Sequence, residues 1–304
     1  MKETSTQIAE ETSIAPVGFI KPTGERAIRA LKALADKRLS DAEDNIAAME
    51  NTSIRDRAWK CHLRGLALIE RRKLADAESS FAQAVSYALA AAWSGTCGPD
   101  ADDMRLGAAS LESIGLVQRR SDQPDDAYAI HEAAYRIRVK YGSIEERFES
   151  AASCGLDADL ARRFDDAERW HKVAIDHATA ATEESAGKQA QAWTHLATVL
   201  INASRYDEAV SAARTACGLW RDHDITAASV ALAEIRLGNV LVKCAEECFY
   251  TNAPCAEKHL QEAVGLLEGA EKSLRAFGSA FDVDVDLCDQ KVNFAQRLIE
   301  SVGV

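Results

Sequence analysis

One spacing of small and packing residues recurs along the sequence and constrains the fold more than any other feature. Gly65, Ala77, Phe81 and Ala84 are separated by steps of 12, 4 and 3 residues. Self-similarity at a regular interval is the mark of a repeat architecture. The same three steps occur in four other stretches: Ala30/Ala42/Ile46/Met49, Gly115/Ala127/His131/Ala134, Gly155/Ala167/His171/Ala174 and Ala197/Ala209/Ala213/Ala216.

These steps predict pairs of antiparallel helices. A small residue on the first helix lets the second helix approach closely, and positions four and seven residues apart share one helical face. A short acidic signal precedes the second helix of each pair, and the helix dipole favours acids in a first turn. These signals are LSDA (39–42), LADA (74–77), PDDA (124–127), FDDA (164–167) and YDEA (206–209).

The repeated pairs resemble tetratricopeptide repeats (TPR), and the later copies resemble the longer variety found in kinesin light chains. The resemblance implies an all-α fold, a TPR-like α-solenoid in which antiparallel helix pairs wind into a right-handed superhelix. We expect a single TPR array over residues 23–304, ending in a C-terminal capping helix at about 285–301. The repeats are expected to begin near residues 23, 58, 108, 148, 190 and 231.

Residues 1–22 are expected to lie outside the array as a flexible N-terminal arm. They are polar apart from a short apolar island, APVGFI (15–20). A disordered leader is the simpler interpretation, and docking of Val17, Phe19 and Ile20 on the array or on a partner is the other.

In the family that the chain resembles, the first helix of each repeat lines a concave groove that holds a peptide or a helix. Leu66, Leu116 and Leu156 are predicted to form an apolar stripe there, and Arg119 and Arg120 are candidates for gripping a carboxylate or phosphate. The same register includes Gln191 and Thr198. The partner-binding residues predicted in this way are Trp59, His62, Leu66, Glu112, Leu116, Arg119, Arg120, Leu156, Thr194, Asn202, Ile235 and Asn239.

The charge balance limits the classes of partner. A formal net charge of −12 argues against a nucleic-acid-binding surface and against docking on an anionic membrane. There is no apolar run long enough to span a bilayer and no apolar signal core at the N-terminus, so we expect a cytoplasmic protein. The predicted partner is another protein, bound through a peptide or helix segment.

No catalytic motif, cofactor or metal-hydrolase signature is recognisable, so the chain is predicted not to be an enzyme. His131 and His171 are interpreted as core histidines because they occupy the inward position of the repeat. The favoured function is a scaffold, adaptor or regulatory subunit. Two alternatives remain: a sensor of peptides or small molecules on the same fold, and an α/α-toroid enzyme, which would need two carboxylates across a cavity.

The stretch CAEECFYTNAPC (244–255), with His259 one turn later, is the most reactive part of the sequence. It lies in a sixth stretch, Gly238/Ala256/Leu260/Ala263, whose first step is 18 and therefore predicts six additional residues in the hairpin. An antiparallel hairpin would bring Cys244, Cys248, Cys255 and His259 together. Packed thiols are the favoured interpretation, and a Cys₃His zinc site and a disulfide are the alternatives.

Overall fold

The computed structural model describes residues 22, 24–96, 98–181, 185–223 and 226–302, and within these ranges the regular secondary structure is helical, with no strand. This confirms the all-α prediction. The arm predicted for residues 1–22 lies outside the described residues, apart from Pro22. The helices are α1 (Glu25–Ala35), α2 (Leu39–Ala47), α3 (Ile54–Glu70), α4 (Leu74–Ala92), α5 (Ala101–Arg120), α6 (Pro124–Tyr141), α7 (Ile144–Leu160), α8 (Phe164–Ala180), α9 (Ala186–Asn202), α10 (Tyr206–Asp222), α11 (Ala227–Cys248), α12 (Ala253–Arg275) and α13 (Asp282–Val302).

Consecutive helices pack as pairs from α1–α2 to α11–α12, and α13 packs on α12. The chain forms two compact units, Met1–Ser153 (unit 1) and Cys154–Val304 (unit 2), whose boundary lies within α7. None of the described helices is long and apolar enough to cross a membrane.

Small residues allow the two helices of a pair to approach closely, as the spacing predicts. A Cβ atom added to Gly115 would lie 2.5 Å from Cε1 of His131, and one added to Gly155 would lie 2.6 Å from the same atom of His171. The two histidines are 2% and 1% exposed, which confirms that they are core residues. In α3 and α4, a Cβ atom at Gly65 would meet the Phe81 ring in the same way.

The turns within the first five pairs share one backbone conformation that the sequence does not predict. In each turn the second residue after the first helix has a positive φ of 54–60°, although none of these residues is glycine. The next residue donates its N–H to the carbonyl five residues earlier, at 2.7–3.0 Å, which is the helix-ending bond of a Schellman motif. The five positive-φ residues are Lys37, Arg72, Asp122, Arg162 and Ser204.

The sixth pair differs from the arrangement that its spacing predicts. By analogy with Gly115 and His131, the spacing predicts a contact between Gly238 and Leu260, but the structure places Gly238 against Leu267, whose Cγ would lie 2.9 Å from an added Cβ. Because the helices are antiparallel, Leu260 lies two turns nearer the connection and shares a core cluster with Ala245. The small residue equivalent to Gly115 is therefore Ala245, and its step to Ala256 is 11 residues rather than 18. The prediction of six additional residues in the hairpin is wrong.

Each unit has its own apolar core. In unit 1 the core includes Leu63 and Phe81. In unit 2 one cluster includes Leu241 and Leu260, and Ala295 of α13 is buried within it. Helix α13 thus covers a face of the last pair, as expected of a cap.

Candidate functional site

Three residues predicted to line a groove in unit 1 are buried instead. Trp59, His62 and Leu66 of α3 are 5%, 0% and 2% exposed. Nδ1 of His62 lies 2.9 Å from Oγ of Ser110, which is on α5, the first helix of the next pair. Successive first helices are packed so closely here that the positions assigned to the groove become core, and the prediction that these side chains contact a partner is wrong.

Burial determines the chemistry of His62. Removal from water, with a smaller effect of nearby Arg138, lowers the pKa of this histidine to about 3. The side chain is therefore neutral at physiological pH, and it stacks at an angle on Phe81 with ring centroids 5.5 Å apart. His62 is a packing residue.

Glu112 of α5 is also unavailable for contact with another protein, because it is one half of a buried ion pair. Arg138 of α6 donates to it twice, from Nη2 to Oε2 at 2.8 Å and from Nε to Oε1 at 3.2 Å. The hydroxyl of Ser150 on α7 donates to the same carboxylate. The predicted contact of Glu112 with a partner is therefore wrong, since its hydrogen-bonding capacity is used within unit 1.

A second carboxylate completes this cluster. Arg138 Nη1 donates to Oε1 of Glu146 at 2.5 Å, and Arg105 Nε donates to Oε2 of the same residue at 3.1 Å. Burial alone would lower the pKa of Arg138, but the carboxylates of Glu112 and Glu146 raise it, so the guanidinium stays charged. With its charges paired internally, the cluster ties α5, α6 and α7 together rather than offering a site for an ionic ligand.

The end of α5 retains its predicted surface residues. Leu116 and Arg119 are half-buried and Arg120 is exposed. Arg119 donates from Nη2 to the backbone oxygen of Ser153 at 3.3 Å. Because Leu66 is buried, the predicted apolar stripe does not reach the surface at α3.

The first helices of unit 2 have a more open polar face. On α9, Gln191 is exposed, and Thr194 and Thr198 are half-buried. On α11, Asn239 is also half-buried, and in the register in which Ala245 is equivalent to Ala197 it occupies the repeat position of Gln191. We call these four residues the polar face. Ile235 of α11 is 4% exposed and belongs to the core, so its predicted partner contact is wrong.

Hydrogen bonds within the polar face leave acceptors available. The hydroxyls of Thr194 and Thr198 donate to backbone oxygens four residues earlier, Ala190 at 2.8 Å and Thr194 at 3.2 Å, so each hydroxyl oxygen can still accept. Oδ1 of Asn239 is buried and has no hydrogen-bond partner among the described residues. An orphan amide oxygen is costly, and rotation of the side chain towards a ligand donor would relieve that cost.

A carboxylate lies beside the polar face. Asn202, exposed at the end of α9, donates from Nδ2 to both carboxylate oxygens of Asp159, at 2.9 and 3.1 Å. Burial raises the pKa of Asp159, and the bond from Asn202 partly opposes that effect. Leu156, one turn earlier on α7, is half-buried.

Behind this surface, His171 of α8 stacks on His195 of α9 with ring centroids 5.5 Å apart. Burial, and to a smaller degree His195, lower the pKa of His171 to about 3. His171 is therefore neutral and fills the space opposite Gly155.

Two surface pockets lie on unit 2, both at the turns between helices. One, of about 660 Å³, is lined by the α7–α8 and α9–α10 turns and includes Arg162 and Arg205. The other, of about 340 Å³, is lined by the start of α10 and the end of α11 and includes Cys244 and Cys248. Neither coincides with the polar face.

The cysteine-rich stretch spans the α11–α12 connection. Cys244 and Cys248 are in the last turns of α11, and Cys255 and His259 are in the first turns of α12. Cys244 is buried, whereas the other three are half-buried. All described cysteines are free thiols.

Sequence reasoning missed Arg138 and Glu146, which hold the ion cluster of unit 1. Arg138 lies near the end of α6, where basic residues commonly stay solvated. Only SxxE at 143–146, a capping-box pattern at the start of α7, pointed to Glu146. The structure shows Ser143 N donating to Oε2 of Glu146 at 2.8 Å.

Comparisons with known proteins rest on structure alone, since no family model and no curated protein sequence matches the chain. BtubC (BKLC) from P. vanneervenii superposes with a TM-score of 0.58 at 15% identity, covering 84% of this chain and 91% of that one. A putative kinesin light chain with TPR-like repeats from Podosopora anserina gives 0.58 at 13% identity, covering 75% and 99%. NprR in complex with its cognate peptide NprX gives 0.50 at 11% identity, covering 87% and 70%.

These likenesses agree with the paired helices, the small-residue contacts and the repeated turn. At such low identity they establish the fold and not the function. The chain has the TPR-like α-solenoid fold and resembles the repeat proteins of the kinesin-light-chain type.

Proposed function

We propose that this protein is a peptide- or protein-binding scaffold, and that the polar face of unit 2 contacts the bound segment. The observation that carries the proposal is the set of neutral hydroxyl and amide groups on two successive first helices, with the amides of Gln191 and Asn239 at matching repeat positions. Such groups recognise the backbone of an extended segment, because they can accept from its N–H groups without placing a charge in the contact.

The polar face is favoured over the end of α5 because its hydrogen-bonding capacity is not used up. Thr194 and Thr198 keep acceptor lone pairs, and the amide oxygen of Asn239 has no hydrogen-bond partner within the part of the chain that the structure describes. In unit 1 the repeat position of Thr194 is occupied by His62, which is buried, and by Glu112, which is paired with Arg138.

Charge indicates which segment would bind. The chain carries a formal net charge of −12, and Asp159 lies beside Asn202 at the edge of the polar face. A neutral or basic segment is therefore favoured over an acidic one. NprR, which has the same type of fold, was crystallised with a peptide, and this supports a peptide as the ligand class.

The test is a selection of peptides from a displayed library on the full chain, followed by affinity measurements on variants. Thr198→Arg places a long cation in the polar face and is expected to weaken the selected peptides at least about tenfold, equivalent to about 1.4 kcal/mol. Thr215→Arg is the matched control, because Thr215 is exposed on α10 and its hydroxyl bonds to Ser211 O in the same back-bonded way.

The result that supports the proposal is loss of affinity in Thr198→Arg with wild-type affinity in Thr215→Arg. Equal affinities for both variants would place the binding surface elsewhere. Failure to select any peptide with sub-millimolar affinity would count against peptide binding altogether.

A further inference from the structure

Four potential metal ligands meet at the α11–α12 connection. Cys244 and Cys248 are four residues apart and so lie on one face of α11, and Cys255 and His259 have the same spacing on α12. The connection contains only four residues, 249–252. A tight antiparallel hairpin of this kind holds both pairs level with each other.

The interatomic distances agree with this arrangement. The ligand atoms of Cys244, Cys248 and His259 lie within 4.8 Å of one another. Sγ of Cys255 is 3.9 Å from Nδ1 of His259, so a third thiol lies beside this group of three. Around a tetrahedral zinc ion with bonds of about 2.3 Å to sulfur, the ligand atoms are about 3.8 Å apart. A contraction of about 1 Å or less would therefore bring Cys244, Cys248 and His259 to coordination distance.

The surroundings provide a route for an ion. Cys248, Cys255 and His259 are only half-buried, and Cys244 and Cys248 line the pocket of about 340 Å³ that opens to solvent. Thiols that serve only as packing would gain from complete burial, as Cys217 and Cys288 do. The partial exposure of three of the four groups is unlike that of the buried cysteines Cys154, Cys217 and Cys288.

The backbone of this connection also differs from that of the others. The first five pairs end their first helix with a left-handed residue and a Schellman bond, but no described residue of the α11–α12 connection has a positive φ. The Asn252 side chain accepts from Cys255 N at 3.3 Å and caps α12 directly. The hairpin therefore lacks the repeated turn at the place where the four ligands converge.

We infer that Cys244, Cys248, Cys255 and His259 form a structural Cys₃His zinc site that clamps the last helix pair of the array. Three thiolates and one imidazole are a common structural zinc set, and soft sulfur ligands exclude Mg²⁺ and Ca²⁺. With four protein ligands the coordination is closed, so the ion would stabilise the fold and would not activate water.

The test begins with the wild-type full chain, expressed in zinc-supplemented medium and purified without chelator or affinity tag. Elemental analysis is expected to find about one equivalent of zinc per chain. After removal of zinc, titration with Co²⁺ is expected to give thiolate-to-cobalt charge-transfer bands and the visible bands of tetrahedral cobalt. A chelator should lower the midpoint of thermal unfolding and speed hydrogen exchange in residues 244–259.

Variants locate the site. Cys248→Ser/Cys255→Ser is expected to lose zinc and the cobalt spectrum, while Cys217→Ser, a matched change at a buried cysteine of α10 in the same unit, is expected to keep both. Less than about a tenth of an equivalent of zinc in the wild type, with no cobalt spectrum, would overturn the inference. A disulfide between Cys248 and Cys255 in protein whose thiols were trapped at lysis would overturn it as well.

Discussion

The buried ion cluster of unit 1 gives the sharpest test of how the helix pairs are held together. Arg138 is 1% exposed and is paired with Glu112 and Glu146, which are 8% and 3% exposed. Arg138→Met keeps much of the side-chain volume of Arg138 and removes its charge. The expected loss is about 3–5 kcal/mol in the free energy of unfolding, the usual cost of leaving a buried charge without its partner.

The structure also predicts which carboxylate causes most of this loss. Without Arg138, the carboxylate of Glu146 keeps its bonds from Arg105 and from the N–H of Ser143, whereas the carboxylate of Glu112 keeps, among the described residues, only the bond from the hydroxyl of Ser150. Adding Glu112→Gln removes the stranded charge. The double variant Arg138→Met/Glu112→Gln is therefore expected to be more stable than Arg138→Met by at least about 1 kcal/mol.

The assay is urea unfolding followed by far-UV circular dichroism. Hydrogen exchange of α5, α6 and α7 assigns the transition to unit 1, because a chain of two units need not unfold in one step. Arg136→Met is the control: it lies on the same helix with a 73% exposed side chain, paired with Glu132 at 3.3 Å, and should cost no more than about 0.5 kcal/mol. Equal losses for Arg138→Met and Arg136→Met, or strict additivity in the double variant, would refute the reasoning.

Two further outcomes follow from the core. Gly115→Ala is expected to lower the free energy of unfolding by about 1–3 kcal/mol, because the new Cβ would overlap the His131 ring. Gly265→Ala, which has open space around it in α12, should raise that free energy by up to about 1 kcal/mol. Changes in the same direction for both variants in urea unfolding would contradict the close approach of α5 and α6 at Gly115. The pKa values of His62 and His171 are lowered to about 3 in the folded chain, so between pH 3 and 6.5 the unfolded chain binds more protons than the folded chain. The free energy of unfolding should therefore be highest above pH 6.5. It should fall by about 1.4 kcal/mol per pH unit for each histidine as the pH drops towards 3. His62→Gln should reduce the slope of the free energy of unfolding against pH by the contribution of one histidine, about 1.4 kcal/mol per pH unit. An unchanged slope would show that His62 is not buried and neutral.

The contacts within helix pairs were predictable because they depend on short-range spacing. A glycine on one helix and a large residue 16 positions later, such as Gly115 and His131, must meet if a three-residue turn joins two straight helices. The sixth pair shows the limit of this rule. Gly238 and Ala245 are both small and seven residues apart on one face, so spacing alone did not choose between them.

The surface was less predictable. Helical periodicity assigned Trp59, His62 and Thr194 to the same face of their first helices, and it carries no information on how closely neighbouring first helices pack. Close packing buried the large residues of α3, while Thr194 stayed accessible. The left-handed turn residues carried no signal either, since Lys, Arg, Asp and Ser stand where glycine would have marked the turn.

The most direct test of the central claim, that the polar face of unit 2 holds a bound segment, is site-specific photo-crosslinking to a selected peptide. A photoreactive phenylalanine analogue at Gln191, which is exposed on α9, is compared with the same analogue at Thr215, which is exposed on α10. The account predicts a peptide adduct from position 191 that excess unlabelled peptide suppresses, and none from position 215. Crosslinking from 215 alone, or equally from both positions, would contradict it.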